Sequence, residues 1–220
     1  MKFSIKTPIQ EIFTSWEALS DAADAHISQD HIVAEDLLKV ADCPIVWSWL
    51  NPAWVDVDKH VVELHPDGET VVTPKAERDP DRNIRAAIRR EVLERDGHRC
   101  RYCGIPVVSA DIRKFLANDY PNAVPWEVYD PSKQHAGLST LWLQFDHVLP
   151  HSHGGRSHPD NVVVTCALCN FGKHGFTLRQ LGLSDPRLRD PIPTTWDGLE
   201  RLRPALKARQ AELNKLKKKT

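Results

Sequence analysis

Apolar and polar positions along this chain change period several times, and each change predicts an element. Over residues 8–40 the apolar residues recur at helical spacing. Ile9, Ile12, Phe13 and Trp16 share one stripe, and Leu37 and Leu38 lie on another. Residues 43–57 carry Trp47, Trp49 and Trp54, read as core packing, with a partner-binding patch as the sharper alternative. Residues 59–64 and 70–73 flank Pro66-Asp67-Gly68, a strand–turn–strand signal. The charged, Pro-punctuated stretch 73–80 marks a boundary.

Beyond it, Ile84, Ile88 and Val92 give the stripe of a helix over 81–95, with Asp81 as its cap and Asp96-Gly97 as its stop. A second helix is predicted at 110–117. Pro121, Pro125 and Pro131 make 119–133 a loop, so 106–140 reads as an insertion, either a specificity loop or a brace. Residues 141–148 form an apolar run typical of a strand. A loop with Gly154-Gly155 follows, then a returning strand at 161–165 and a short helix at 169–174. After this β-β-α unit come a short helix at 177–183, a Pro-rich connector at 185–193 and a final helix starting at Trp196. The class is α+β. An accessory region of helices and a hairpin spans 1–80, a main domain spans 81–200, and a basic helix or tail spans 201–220.

Charge sharpens that division. The chain has a net charge of −1, which says nothing about partners. Residues 1–80 hold 6 Lys and Arg against 15 Asp and Glu, and the remaining residues hold 23 against 15. A basic half suits a polyanion. The acidic part is expected to dock on the basic half or to recruit a basic partner. Arg82, Arg85, Arg89 and Arg90 decorate the helix at 81–95, either as a solvated face or as phosphate contacts. Lys207, Arg209, Lys215, Lys217, Lys218 and Lys219 form a basic tail that can add sequence-independent affinity. No apolar run approaches the roughly 18 residues of a membrane span. The first ten residues lack a secretory pattern.

Five cysteines are present. Cys100 and Cys103, then Cys166 and Cys169, form two pairs with two-residue spacers. A two-residue spacer lets both sulfurs of a pair reach one ion from a tight turn, and Zn²⁺ favours four such ligands in a tetrahedron. The alternative is unrelated redox pairs or buried thiols. Cys43 reads as a small buried hydrophobe, and this cysteine usage suggests a reducing, cytoplasmic setting. Between the pairs, Asp146-His147 ends the first strand. Asn170 and His174, four apart on the predicted helix, share one face. A carboxylate, an amide and two imidazoles thus converge on one cleft.

In Asp146-His147, Gly154-Gly155, Asn161 and the run from Cys166 to Asn170, the segment resembles the HNH (ββα-metal) endonucleases in their four-cysteine zinc version. The final family position, often His, is Asn170 here, as in several subfamilies, and the spacer between Cys103 and Asp146 is long for the family. The resemblance implies a nuclease acting on DNA, nicking as a monomer or cutting both strands as a homodimer. His147 suits the general base, because neutral imidazole is available near pH 7. Asp146 and Asn170 supply oxygen ligands for Mg²⁺. His174 lies where related nucleases place another ligand, and its nitrogen would favour Mn²⁺, Ni²⁺ or Zn²⁺; an exposed or phosphate-facing His is the alternative. Asn161 braces the loop and orients His147. Lys173 joins Arg85, Arg89 and Arg90 as a candidate nucleic-acid contact. A zinc-stabilised binding module without catalysis, or an RNA-directed or defence nuclease, are the other readings.

Overall fold

The structure, a computed structural model, describes residues 2–54, 64–65 and 71–217. The strand–turn–strand expected at 59–73 lies for the most part outside them. The helical run at 8–40 is two helices, α1 (Gln10–Ile27) and α2 (His31–Ala41). Asp30 separates them and caps α2 by accepting from the Val33 amide at 3.2 Å. The buried face of α1 includes Ser15, Ala18, Ala22 and Ala23, and that of α2 includes Ala34 and Ala41. Small residues on both faces let the two axes approach closely. The Trp-rich stretch is α3 (Pro44–Trp54). Trp49 is buried there, and its indole donates to the Thr7 carbonyl at 2.8 Å.

α4 runs over Ala86–Asp96, starting later than the expected 81. The Asp81 carboxylate is taken by the Arg85 guanidinium at 2.7 Å, and Arg85 itself is extended, so Asp81 does not cap the helix. Gly97, at φ +67°, ends α4 in a conformation that suits glycine. In the insertion, α5 (Ala110–Asp119) runs two residues past its expected end, and α6 (Ala136–Thr140) is a buried helix with no forecast in the sequence pattern. Arg113 of α5 is fully buried between two indoles, 4.8 Å from the Trp126 ring centre and 4.4 Å from that of Trp142. This cation–π stack ties the insertion loop to the segment that enters the sheet. Burial lowers the guanidinium's pKa to about 9.

The sheet has two antiparallel strands, β1 (Leu143–His147) and β2 (Val162–Cys166). Leu143 pairs with Cys166, and His147 with Val162. α7 (Ala167–Lys173) follows directly, which completes the expected ββα unit. Residues 177–183 are turns rather than the expected helix: the Gln180 side chain accepts from the Thr177 amide at 2.9 Å, and Gly182 has φ +59°. The last helix, α8 (Arg203–Lys217), starts later than Trp196. The Trp196 indole is anchored to the Val107 carbonyl at 3.0 Å, and Asp197 accepts from the Leu199 and Arg201 amides at 2.9 Å each, forming a turn ahead of the helix.

Buried apolar residues from α1, α2 and α3 join those of the sheet and α7 in one hydrophobic cluster. α3 packs on α6 and α7, and Ile5 and Ala53 lie against Gly172 of α7. One polar knot organises the half that carries the ββα unit. Asp96, with its side chain fully buried, accepts from Arg95 Nε at 2.7 Å, Arg101 Nη1 at 2.8 Å and the Val164 amide at 2.9 Å. The end of α4, the first cysteine turn and the middle of β2 therefore meet on one carboxylate.

Candidate active site and metal centre

Each cysteine pair is placed by a local device. Cys100 and Cys103 flank a turn in which the Gly104 amide donates to the Cys100 carbonyl at 2.9 Å and the Cys103 amide points at Cys100 Sγ at 3.4 Å. Cys166 ends β2 and is the N-cap of α7, and Cys169 lies in that helix's first turn. The two pairs, distant in sequence, converge until all four sulfurs lie within 4.8 Å of one another. None is in a disulfide, and Cys103 and Cys166 are 3.6 Å apart. A tetrahedron with bonds of about 2.3 Å has sulfur–sulfur edges of about 3.8 Å, so the cluster has the right size for one ion. Burial pushes the Cys166 thiol well up, and hydrogen bonding to the other three sulfurs does the same for Cys169. Both shifts favour the neutral thiols, and a cation among the four sulfurs would favour the thiolates instead. The four cysteines can hold a metal ion.

Beside this centre lies a cleft of about 1010 Å³. β1 supplies Gln144, Asp146 and His147 to its wall, α7 supplies Asn170, Arg78 and Arg82 line it from the segment that leads into α4, and Arg89 lines it from α4 itself. His147 Nε2 is 2.9 Å from Ser157 Oγ, whose oxygen also lies 3.2 Å from the carbonyls of Asp81 and Arg82. Burial, reinforced by the charges of Lys173, His151 and Arg82, lowers the His147 pKa to about 4. The ring is neutral at pH 7.

Asp146 is buried and doubly held. Tyr102 donates its hydroxyl to Oδ2 at 2.7 Å, and Lys173 Nζ lies 3.1 Å from Oδ1. Burial raises the Asp146 pKa, while the Lys173 charge and the Tyr102 hydrogen bond oppose that rise. The ion-pair geometry and the raised value point in opposite directions. The short contacts to two donors indicate an ionised carboxylate. Burial and the neighbouring Asp146 charge push the Tyr102 phenol well above its ordinary value, so it remains a donor.

Other expected residues fall as follows. Asn161 sits outside the cleft and braces the loop: it accepts from the Leu149 amide at 2.9 Å and donates to the carbonyls of Leu149 and Arg156 at 3.0 Å each. Asn170 lines the cleft, 3.4 Å from Gln144 Oε1. His174 also lines it, but not as a helical neighbour of Asn170. α7 ends at Lys173, and His174 turns away at φ +49°. Lys173, expected against phosphate, is 0% exposed, because Asp146 and the His147 carbonyl (2.8 Å) hold its ammonium inside. Arg89 lines the cleft and lies 5.8 Å over the Phe145 ring, whereas Arg85 and Arg90 are exposed outside the lining. Sequence reasoning missed Tyr102, Gln144 and Ser157. Tyr102 occupies a spacer position between two cysteines, and Ser157 reaches His147 only through the loop's path. Neither carries a signal of its own.

Two antiparallel strands, a short helix, a four-cysteine cluster sized for one ion and an Asp-His pair beside an arginine-lined cleft make up the ββα unit and its candidate site. Residues 137–184 match the family model for HNH endonuclease. Comparison with curated proteins and with solved structures returns no match. Among the described residues no helix is long and apolar enough to cross a membrane.

Proposed function

We infer that this protein is a metal-dependent endonuclease that hydrolyses phosphodiester bonds in DNA, with Zn²⁺ in the four-cysteine site. The observation that carries the reading is a neutral imidazole, His147, that shares one cleft with a buried carboxylate, Asp146, and with arginines. A phosphodiester needs an activated water and positive charge around the phosphate. His147 takes the water's proton. Ser157 has one hydrogen to give, and the carbonyls of Asp81 and Arg82 accept it. Its oxygen then accepts His147 Nε2–H, which leaves the Nδ1 lone pair as the base. Arg78, Arg82 and Arg89 attract and orient the phosphodiester backbone. Asp146 and Asn170, with His174 at the rim, would hold a divalent ion such as Mg²⁺, Mn²⁺ or Ni²⁺. Bound there, that ion would supply Lewis-acid charge for the scissile phosphate and its leaving oxygen.

The test is incubation of the purified protein with supercoiled plasmid and each of the three ions, against His147→Ala. The variant should fold and bind DNA normally and lose cleavage by at least the ~10²-fold typical of a missing general base. Nicking at the wild-type rate would remove His147 from the mechanism. One observation favours a second reading, a nucleic-acid-binding module without catalysis: Lys173 already neutralises Asp146. Wild-type protein that shifts DNA but never cuts it, with any of the ions, selects that reading.

A further inference from the structure

Tyr102 joins the two functional centres. It is the second spacer residue between Cys100 and Cys103, so its backbone path is dictated by the turn that presents those two sulfurs. Its side chain is 1% exposed, and its hydroxyl ends 2.7 Å from Oδ2 of Asp146. The turn is locked from the other side as well. The Arg101 amide donates to the Val164 carbonyl at 2.9 Å, the Cys100 amide to the Ile105 carbonyl at 2.9 Å, and Arg189 Nη2 to the Tyr102 carbonyl at 2.7 Å. The phenol therefore approaches Asp146 from a frame made of the cysteine turn and β2.

The plane of a carboxylate is fixed by donors that tell its two oxygens apart. Lys173 Nζ, from α7, lies 3.1 Å from each oxygen and does not distinguish them, whereas Tyr102, from the cysteine turn, engages Oδ2 alone. Each oxygen keeps acceptor capacity beyond those two bonds, and Asp146 is part of the cleft wall. We propose that Tyr102 is a positioning residue: its hydroxyl fixes the plane of the Asp146 carboxylate so that the remaining lone pairs face the cleft, and the four-cysteine centre acts on the catalytic carboxylate through it. The inference rests on the nuclease reading above and assigns to the cysteine centre a part beyond folding. Groups that orient a ligand carboxylate in this way typically alter metal affinity or activity by about 10–100-fold when removed.

Tyr102→Phe tests it, since the ring and its packing stay and only the hydroxyl goes. The variant should keep its bound zinc, with a thermal midpoint lowered by no more than the loss of one buried hydrogen bond. Mn²⁺ binding, followed by the loss of the free-ion paramagnetic resonance signal, should weaken by about tenfold or more, and the Mn²⁺ concentration for half-maximal plasmid nicking should rise by the same factor. In an Asp146→Asn background the same substitution should change Mn²⁺ binding no further, because the carboxylate it orients is absent. A merely structural role would instead show as zinc loss, or as a lower midpoint with Mn²⁺ binding unchanged. Wild-type protein that binds Mn²⁺ and cuts, with Tyr102→Phe equal to it, overturns the positioning role and leaves the nuclease reading intact. Wild-type protein that neither binds Mn²⁺ nor cuts overturns both.

Discussion

Replacing Asp96 by Ala should cost more stability than almost any other single change in the nuclease-like half. The side chain has no solvent exposure and is the acceptor for Arg95, for Arg101 and for the Val164 amide. Arg101 is itself 5% exposed, and its remaining contacts are neutral carbonyls of Pro186 and Arg189. Without Asp96 its charge stays buried and uncompensated, which costs about 3–5 kcal/mol. Arg95, 38% exposed, can turn to water and adds little. The Val164 amide in the middle of β2 loses its acceptor for about 1–3 kcal/mol more, part of which a water can recover. For a chain of this size, 3–5 kcal/mol corresponds to a fall in Tm of roughly 6–20 °C. The assay is thermal and urea unfolding of wild type, Asp96→Ala and the double variant Asp96→Ala/Arg101→Met, all at the same zinc concentration. The double variant should recover part of the loss, because removing both charges is far cheaper than stranding one. A single variant within about 1 kcal/mol of wild type, or a double variant no better than the single, would refute the assignment of Asp96 as the keystone of this knot.

Other outcomes follow from the same geometry. Metal analysis should find roughly one zinc per chain, and Cys166→Ser or Cys100→Ser should abolish it and unfold the ββα unit, since binding energy at such sites is folding energy on the order of 10 kcal/mol; a zinc-free chain that keeps its fold would contradict this. Gly155→Ala should disrupt the loop between the strands, because a Cβ there overlaps the Leu149 carbonyl oxygen and crowds the Asn161 amide; the expected loss of protease resistance around 150–160 can be checked by limited digestion. His147 has a folded pKa of about 4 against 6.5 for the free side chain, so between those values the unfolded chain binds more protons and stability rises with pH. Its contribution is complete above pH 6.5 and is lost as pH falls towards 4. Wild type should therefore lose more stability than His147→Gln between pH 7.5 and 5.5, and equal losses would show that the ring is solvated.

The pairing of cysteines, the ββα order and the placement of Asp146, His147 and Asn170 along one cleft were legible in the chain, because each rests on a local pattern. A two-residue spacer, a strand-length apolar run and a helix start are decided by neighbours in sequence. The late starts of α4 and α8 were not legible, because the carboxylate of Asp81 and the side chains of Trp196 and Asp197 found partners that competed with helix formation. Nor was the fate of Lys173, which reads as a surface cation beside a basic cleft. Only packing could show that α7 turns its ammonium inward onto Asp146. Tyr102, Ser157 and the Arg113 stack belong to the same category. Their partners lie 44, 10 and 13 or more residues away, and no period or spacing encodes a contact across that distance. The sequence by itself determined which atoms could hold an ion and take a proton. The tertiary structure decided which of those atoms are held still, and by what, because a buried polar group must find its partner wherever the fold brings one.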